Sequence, residues 1–383
     1  MKRKNVRAWR IVRGGVAVLC GVLAVVIVCL SLQRVAQAIT GTVDVAQAVP
    51  APGQAYVFRF DPLVKSFQTF TVPTVGAGPL SVDVVSNAAN LDVWFTEPRA
   101  NRIGRLTYTD TADHVFREYA VGMGSGPMNL VADGSGEYIW FTARHGNWIG
   151  RLAAATGVVV TFPVPTADSR PAGVDLAPDG SVWFTEMAAD KIGHLVVTTT
   201  SDYNVTEYPV AGTGTDVGLY DVAVWSNDYV WVAETKTGVV RRLKVADGRF
   251  IWTSGLGADD YPYDMVVDSG RNYLWLTERD DDQISLVELT SLNIINSFDI
   301  APTPNFHPTG LTMLGSDQFW FAGQGGGQVG QMVYTSPTDY DFQFFDLPLS
   351  GLWTMDVVFD PSDKLWMVAY SPQRIFLPLA VRK

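Results

Sequence analysis

One block of alternating hydrophobic and polar residues recurs along the chain from residue 79 onward. In residues 172–209, four short runs of β-branched and aromatic residues follow a period of two and stop at turns rich in Gly, Asp and Pro. No segment beyond the N-terminal apolar stretch has the 3.6-residue period of an amphipathic helix. Each block therefore predicts four short β-strands.

The second run of each block carries a tryptophan, and this residue marks seven copies. The marker residues are Trp94, Trp140, Trp183, Trp231, Trp275, Trp320 and Trp366. Their separations are 46, 43, 48, 44, 45 and 46 residues. Four strands repeated every 45 residues or so are typical of a β-propeller blade. The sequence predicts an all-β protein, a seven-bladed propeller of four-stranded blades, with the tryptophans packed between blades.

The two ends of the repeat region predict how the ring closes. Residues 56–74 align with the second half of a block, whereas residues 355–370 form only a first half. We expect the N-terminal hairpin to complete the seventh blade, so that the propeller covers residues 55–383 and has no open sheet edge. In the alternative, the tail 374–383 supplies the third strand and the N-terminus only the fourth.

An uncharged apolar stretch precedes the repeats. Residues 14–32 contain 19 consecutive uncharged residues, and six basic residues come before them. At 1.5 Å per residue this stretch is about 28 Å long, close to the thickness of the bilayer core. We expect a basic cytoplasmic tip (1–13), a transmembrane anchor or uncleaved signal (14–33) and a spacer (34–54).

The basic tip predicts a single-pass protein of the cell membrane, with the N-terminus in the cytoplasm and the propeller outside. The membrane is then a partner through the N-terminal helix. The alternative is a signal peptide cleaved after Ala38, because Ala36-Gln37-Ala38 fits a small-x-small cleavage site. Cleavage there would release a secreted propeller.

Charge is divided unevenly along the chain. The formal net charge is −11, but the first 38 residues contain seven basic residues and no acidic one, which leaves 21 basic and 39 acidic residues, or −18, in the rest. An acidic domain argues against nucleic acid as a partner. Both cysteines, Cys20 and Cys29, lie in the apolar stretch, so the exported part has no disulfide.

The repeated motif resembles that of a known family. The blocks VWFTEPRANRIGRL (93–106) and VWFTEMAADKIGHL (182–195), each after a Pro-containing start of the first strand, resemble the streptogramin B (virginiamycin B) lyases and their propeller relatives. The likeness runs from about residue 55 to the end. For the lyases it implies metal-assisted elimination on a cyclic depsipeptide, in which Mg²⁺ polarises the ester and a histidine removes a proton.

The family's histidines directly follow the proline that starts the first strand, and this chain has other residues there. The equivalent positions are Leu80, Met128, Ala172, Tyr220, Tyr263, Thr309 and Trp353. Since none is histidine, we expect a non-catalytic binding or scaffold module, or a subunit of a membrane complex, with a protein partner on a propeller face. The alternative is a divergent metal-dependent C–O lyase whose base is Tyr220 or Tyr263.

Two further sets of residues are candidates for binding at the funnel. The W-x-x-E position holds Glu97, Glu186, Glu234 and Glu278, and converging carboxylates could bind Mg²⁺ or Ca²⁺, although a binding module requires no cofactor. These glutamates could instead pair with nearby arginines or strand-end amides. Tyr220, Tyr263 and Trp353 could line an aromatic ligand pocket or simply fill the funnel.

Other polar motifs are interpreted as structural. Asn101, Asn147, Asp190 and Asp282 recur before the third strand, which indicates turn chemistry. The acidic runs 259–260 and 280–282 are expected to be solvated loops. The chain has no G-x-S-x-G, P-loop, H-E-x-x-H or C-x-x-C motif, so the sequence gives no support to serine hydrolase, NTPase, zincin or thiol redox chemistry.

Overall fold

The computed structural model describes residues 49–86, 90–109, 113–210, 216–252, 255–257, 260–300 and 305–372. The predicted anchor and the C-terminal tail lie outside these ranges. Within them, no helix has both the length and the apolarity that a membrane crossing requires. The described chain forms 28 strands in seven antiparallel four-stranded sheets, which confirms the predicted all-β, seven-bladed propeller.

Six blades are built from four consecutive strands each, the first strand being innermost. Blades 1 and 2 contain β3 (Val82–Ser86), β4 (Leu91–Glu97), β5 (Arg102–Tyr108), β6 (His114–Ala120), β7 (Pro127–Ala132), β8 (Tyr138–Ala143), β9 (Trp148–Ala153) and β10 (Val159–Pro163). Blades 3 and 4 contain β11 (Pro171–Leu176), β12 (Val182–Glu186), β13 (Lys191–Val197), β14 (Tyr203–Pro209), β15 (Leu219–Ser226), β16 (Tyr229–Glu234), β17 (Val239–Lys244) and β18 (Arg249–Trp252). Blades 5 and 6 contain β19 (Pro262–Asp268), β20 (Tyr273–Glu278), β21 (Gln283–Glu288), β22 (Ile294–Asp299), β23 (Pro308–Leu314), β24 (Gln318–Gly323), β25 (Gln328–Ser336) and β26 (Asp339–Asp346).

Blade 7 is assembled from both ends of the described chain. Its inner strands are β27 (Trp353–Phe359) and β28 (Leu365–Tyr370), and its outer strands are β1 (Ala55–Asp61) and β2 (Ser66–Thr71). β1 pairs antiparallel with β28 from Ala55↔Tyr370 to Phe60↔Leu365. The N-terminal hairpin thus supplies the third and fourth strands, and the ring closes through hydrogen bonds between the first and last parts of the propeller.

The hydrophobic core consists of seven clusters, each lying between two neighbouring blades. Every marker tryptophan is buried and packs against the second strand of the next blade, as Trp94 does against Ile139 and Phe141. Trp366 of blade 7 packs in the same way against Val93 and Phe95 of blade 1. The prediction that these tryptophans are core residues is confirmed.

A threonine in the second strand joins the blades at their inner ends. In five blades, 2 to 6, the first strand bulges near its start, which leaves an amide without a partner in its own sheet. In blade 3 the Gly173 amide donates to Thr185 Oγ1 at 2.9 Å, and Thr185 Oγ1 donates to the Tyr220 carbonyl of blade 4, also at 2.9 Å. Equivalent bonds are made by Thr96, Thr142 and Thr277. The threonine of W-F-T-E is therefore an inter-blade connector.

Buried aspartates in the first strands make a second set of connections. Each accepts a backbone amide from the first strand of the next blade, at 2.6–3.0 Å, and the acceptors are Asp83, Asp175, Asp221, Asp264 and Asp356. The last of these bonds runs from the Val82 amide of blade 1 to Asp356 of blade 7. Five of the seven junctions between blades are thus held by a carboxylate as well as by apolar packing.

The turns before the third strands have the chemistry that the sequence predicts. Asn101, Asn147, Asp190 and Asp282 have φ values of 55°, 60°, 52° and 54°, the left-handed conformation that Asn and Asp tolerate. Their side chains accept amides from the loop that enters the next blade, for example Gly126 N at 3.0 Å from Asn101 Oδ1. These turns fix the loops around the mouth of the central channel.

Candidate functional site

The first strands all begin at one face of the ring, and their first side chains surround the mouth of the central channel. The mouth is lined by Leu80, Met128, Ala172, Tyr220, Tyr263 and Met355. Five of these six are positions that the sequence assigned to the family's histidines. The structure thus brings together residues that are about 45 positions apart in the sequence.

Blade 7 requires a correction to the predicted site. Thr354 pairs with Ala369 as Pro262 pairs with Glu278, so the residue after the strand start is Met355 and not Trp353. The prediction for Trp353 was wrong because Gly351-Leu352 mimics the Gly218-Leu219 that precedes Tyr220. Trp353 is 38% exposed and its ring lies 5.9 Å from that of Tyr370, outside the mouth lining.

Thr309 also departs from the predicted site, because it is completely buried and does not line the mouth. Its Oγ1 donates to the Thr354 carbonyl of the next blade at 3.1 Å. Thr309 is therefore a structural contact between blades 6 and 7.

Two tyrosines of neighbouring blades pair at the mouth. Tyr220 Oη donates to Tyr263 Oη at 2.7 Å, and their ring centroids are 4.5 Å apart. Burial raises the pKa of both phenols above the ordinary value. A catalytic base needs a pKa near neutral, so the environment shifts these tyrosines in the direction opposite to the one that the lyase alternative requires.

Three carboxylates lie just below the mouth, and the sequence interpretation missed them. Asp221, Asp264 and Asp356 directly follow the mouth residues Tyr220, Tyr263 and Met355. Burial is the main cause that raises their pKa values, to about 6 for Asp264 and well above the ordinary value for Asp221 and Asp356. The recurring Tyr-Asp, Tyr-Asp and Met-Asp pairs at the start of the first strand are the signal that could have found them.

The channel is narrow at the mouth and wider beyond the carboxylates. The mouth cavity is about 30 Å³, room for roughly two waters, and the cavity farther along the first strands is about 420 Å³. Small-molecule pockets usually measure roughly 300–1,000 Å³. The predicted aromatic pocket at Tyr220 and Tyr263 is thus largely filled by its own side chains.

The four W-x-x-E glutamates do not line the mouth. Each glutamate is buried at the end of its second strand. Its carboxyl group lies near residues of its own blade or of the loop that leads into that blade, and not in the mouth lining. Arg102 and Glu118 lie near Glu97, Lys191 and Glu207 near Glu186, Arg241 and Thr237 near Glu234, and Asp260 and Asp281 near Glu278. The structure therefore separates the four carboxylates that the sequence expected to converge.

Three of these glutamates have strongly raised pKa values, and burial is the main cause that raises the pKa of Glu278 to about 7. Burial raises the pKa of Glu97 and Glu186 to about 8, and the neighbouring carboxylates of Glu118 and Glu207 add to the effect. Arg102 and Lys191 oppose the shift but do not cancel it. Both carboxyls hold their proton at neutral pH.

Basic side chains surround the mouth on the outer face. Arg279 lies 3.9 Å from the ring centroid of Tyr261 and 6.0 Å from that of Tyr263. Arg99 lies 5.3 Å from the ring centroid of Tyr370, and Arg144 Nη1 is 4.0 Å from Met128 Sδ. We call Arg99, Arg144, Arg279 and the nearby Trp353 the mouth rim.

The four histidines lie elsewhere, and none lines the mouth. His114 is exposed on the outer strand β6 and His145 is exposed in a loop. His194 stacks on Trp183 with centroids 4.1 Å apart, and burial lowers its pKa. His307 Nδ1 is 3.1 Å from the Arg279 carbonyl oxygen.

Known proteins agree with this architecture. Residues 65–215 match the sequence model of the virginiamycin B lyase family. Over these residues the chain is similar in sequence to the virginiamycin B lyases. No curated protein sequence matches it.

Solved structures extend this likeness over most of the chain. A selenomethionine-substituted virginiamycin B lyase from Staphylococcus aureus is 24% identical, with a TM-score of 0.64 over 76% of this chain and 94% of the lyase. A streptogramin B lyase is 23% identical, with a TM-score of 0.66 over 83% and 98%. A putative 6-phosphogluconolactonase from Bacteroides uniformis is 13% identical, with a TM-score of 0.58 over 78% and 97%. At these identities the likeness shows the fold alone. The similar structures carry the names of different enzymes.

The buried glutamates of this lyase-like propeller predict an unusual pH dependence. Because the Glu97 carboxyl has its pKa raised from 4.5 to about 8, the folded state binds more protons than the unfolded state in that window. Stability then falls as the pH rises from about 4.5 to 8. Glu97→Gln should flatten this slope, by up to about 1.4 kcal/mol per pH unit, and should be more stable than the parent protein at pH 8.

Urea unfolding of the full chain between pH 5 and pH 8 measures this effect. Glu137→Gln, an exposed glutamate on a neighbouring blade, is the control and should leave the slope unchanged. A parent protein whose stability rises over this range, or a Glu97→Gln variant with the parent's slope, would contradict the assignment of a protonated Glu97.

Proposed function

We propose that the propeller is a non-catalytic, extracytoplasmic binding module whose protein partner docks on the mouth rim. The observation that carries this proposal is the set of arginines laid on aromatic and Met side chains around the mouth, beside the exposed Trp353. Trp, Tyr and Arg are the residue types that dominate binding energy at protein interfaces.

The distribution of charge also favours the mouth rim as the docking surface. The chain after residue 38 has a net charge of −18, whereas Arg99, Arg144 and Arg279 are gathered at the mouth. An acidic segment of a partner would be repelled by most of the domain and attracted to this rim, which would orient it during association. The guanidinium groups of Arg99 and Arg279 already lie near ring faces, and Arg279 is also paired with Asp280, so little side-chain entropy would be lost on binding.

The chemistry of the mouth favours binding over catalysis. Its polar groups are engaged with one another or with the backbone, as in the Tyr220–Tyr263 pair and the Asp264 bond to the Leu311 amide at 2.6 Å. The lyase alternative would need a base at this mouth. The two tyrosines have raised pKa values, and the glutamates suited to hold Mg²⁺ are buried in separate blades.

The divergent metal-dependent C–O lyase remains the second candidate, because residues 65–215 match the lyase family. For this reaction Mg²⁺ would polarise the ester of a cyclic depsipeptide or lactone. Among the buried glutamates, Glu278 is the one whose neighbours, Asp260 and Asp281, also supply carboxylate oxygens.

Binding at the rim can be tested by charge reversal. The full-length protein is extracted from membranes in mild detergent and sized under native conditions, and an Arg279→Glu/Trp353→Ser variant should lose its co-purifying partner. We expect at least a tenfold loss of affinity. Arg117→Glu, on the outer strand β6, is the control for a change of charge away from the mouth and should retain the partner.

Two results would contradict the binding proposal. One is a full-length protein that runs as a lone monomer with no partner. The other is Mg²⁺-dependent opening of a streptogramin B-type depsipeptide, which would support the lyase candidate instead.

We also propose that residues 14–33 are retained as a membrane anchor, with the propeller outside the cytoplasm. The support is the 19-residue uncharged stretch after a basic tip, which fits a single span better than a signal core. Mass spectrometry of the mature N-terminus in membrane and soluble fractions tests this. A start near Met1 in the membrane fraction is expected, and a start at Ile39 in the soluble fraction would show a cleaved signal.

A further inference from the structure

We propose that blade 5 carries a calcium site formed by Asp260, Glu278 and Asp281. This site is structural, lies away from the mouth lining and does not depend on the proposed binding partner. Asp260 ends the loop that enters blade 5, Glu278 ends β20, and Asp281 lies in the turn between β20 and β21.

The three carboxylates meet closely. One oxygen from each lies within 4.8 Å of the other two, and among the residues that the structure describes this is the one such group. Glu278 is 1% exposed and Asp260 is 7% exposed, whereas Asp281 is exposed. The cluster is therefore closed on its inner side and open to water at Asp281.

Blades 1 and 3 place a basic side chain beside the buried glutamate at the same position. In blade 3, Lys191 Nζ contacts Thr166 Oγ1 of the entering loop and Glu207 Oε2, both at 2.6 Å, next to the buried Glu186. In blade 1, Arg102 Nη1 contacts Thr74 Oγ1 at 2.9 Å and Glu118 Oε2 at 2.5 Å, next to Glu97. A basic side chain thus links the entering loop to a glutamate of the fourth strand, beside the buried glutamate.

Blade 5 lacks this basic side chain. Gln283 pairs with Glu278 in the strand register in which Lys191 pairs with Glu186 and Arg102 with Glu97. The Gln283 amide donates instead to Asp299 Oδ1 at 2.7 Å. The adjacent Arg279 is turned toward Asp280, at 2.8 Å, and toward the Tyr261 ring.

Glu278 supplies the second observation that points to a ligand. Its Oε1 is buried and accepts no hydrogen bond from any described residue, although the carboxylate lies beside Asp260 and Asp281. A buried carboxylate oxygen without a donor is costly unless a proton or a cation meets it. Here the entering loop contributes Asp260, a ligand for a metal ion, where blades 1 and 3 contribute a threonine.

The open side of the cluster favours Ca²⁺ over Mg²⁺. Calcium binds six to eight oxygens at about 2.3–2.6 Å, so oxygens up to about 5 Å apart can share one ion. Magnesium binds at about 2.0–2.1 Å in a strict octahedron, so its ligands lie at most about 4.2 Å apart. Three carboxylates with an open side toward water match the irregular, partly hydrated shell that calcium accepts.

Thermal unfolding of the full-length protein in chelator, in CaCl₂ and in MgCl₂ tests the site. Binding to the folded state alone should raise Tm by roughly 3 °C or more at millimolar Ca²⁺, and equal Mg²⁺ should do clearly less. Asp281→Asn should abolish the Ca²⁺ response. Asp280→Asn, one residue away and paired with Arg279, is the matched control and should keep it.

A substitution that restores the basic side chain gives the sharper test. Gln283→Lys places an ammonium where blade 3 has Lys191, so it should raise Tm in chelator and remove the response to Ca²⁺. Isothermal titration calorimetry should show the same loss of binding. No Ca²⁺ response in the parent protein, an equal response to Mg²⁺, or an unchanged response in Asp281→Asn or Gln283→Lys would overturn the proposal.

Discussion

The structure depends on the hydrogen bonds made by polar groups that are buried between neighbouring blades. Each blade packs its tryptophan against the next, but apolar packing alone does not fix the angle or register of two sheets. The threonine of W-F-T-E does so, because its hydroxyl accepts the amide freed by the bulge in its own blade and donates to a carbonyl of the next, as Thr185 does between Gly173 and Tyr220. The acceptor carbonyls of Met128, Ala172 and Tyr220 belong to mouth residues, so these bonds between blades also shape the channel.

The buried carboxyl groups must also be hydrogen-bonded, paired with a cation or protonated, and they differ in which of these they use. Asp356 and its equivalents accept backbone amides across the junctions, and Glu234 pairs with Arg241. Glu97 and Glu186 remain protonated chiefly because burial raises their pKa values, and the neighbouring carboxylates of Glu118 and Glu207 add to the effect. The hydrogen bonds of these aspartates are therefore committed to the ring, which supports the proposal of binding at the mouth rim over catalysis within the channel.

The sequence could predict the ring, the blade count and the core tryptophans, because the same four-strand pattern and tryptophan recur about every 45 residues. It could also place Tyr220 and Tyr263 at the mouth. It failed at Trp353, where the Gly-Leu pair imitates a strand start, and the true equivalent, Met355, emerges only from strand pairing. It also failed for the glutamates, because the strand pleat turns Thr and Glu of W-F-T-E to opposite sides and only the threonine side meets the next blade's first strand.

The most direct test of this account is the stability cost of Thr185→Val. Valine keeps the shape but leaves the Gly173 amide and the Tyr220 carbonyl without partners, and the expected loss is about 2 kcal/mol or more of unfolding free energy by urea titration. Thr69→Val on the exposed outer strand β2 is the control and should change stability by less than about 0.5 kcal/mol. Equal stability of the two variants would contradict the claim that the threonine joins the blades.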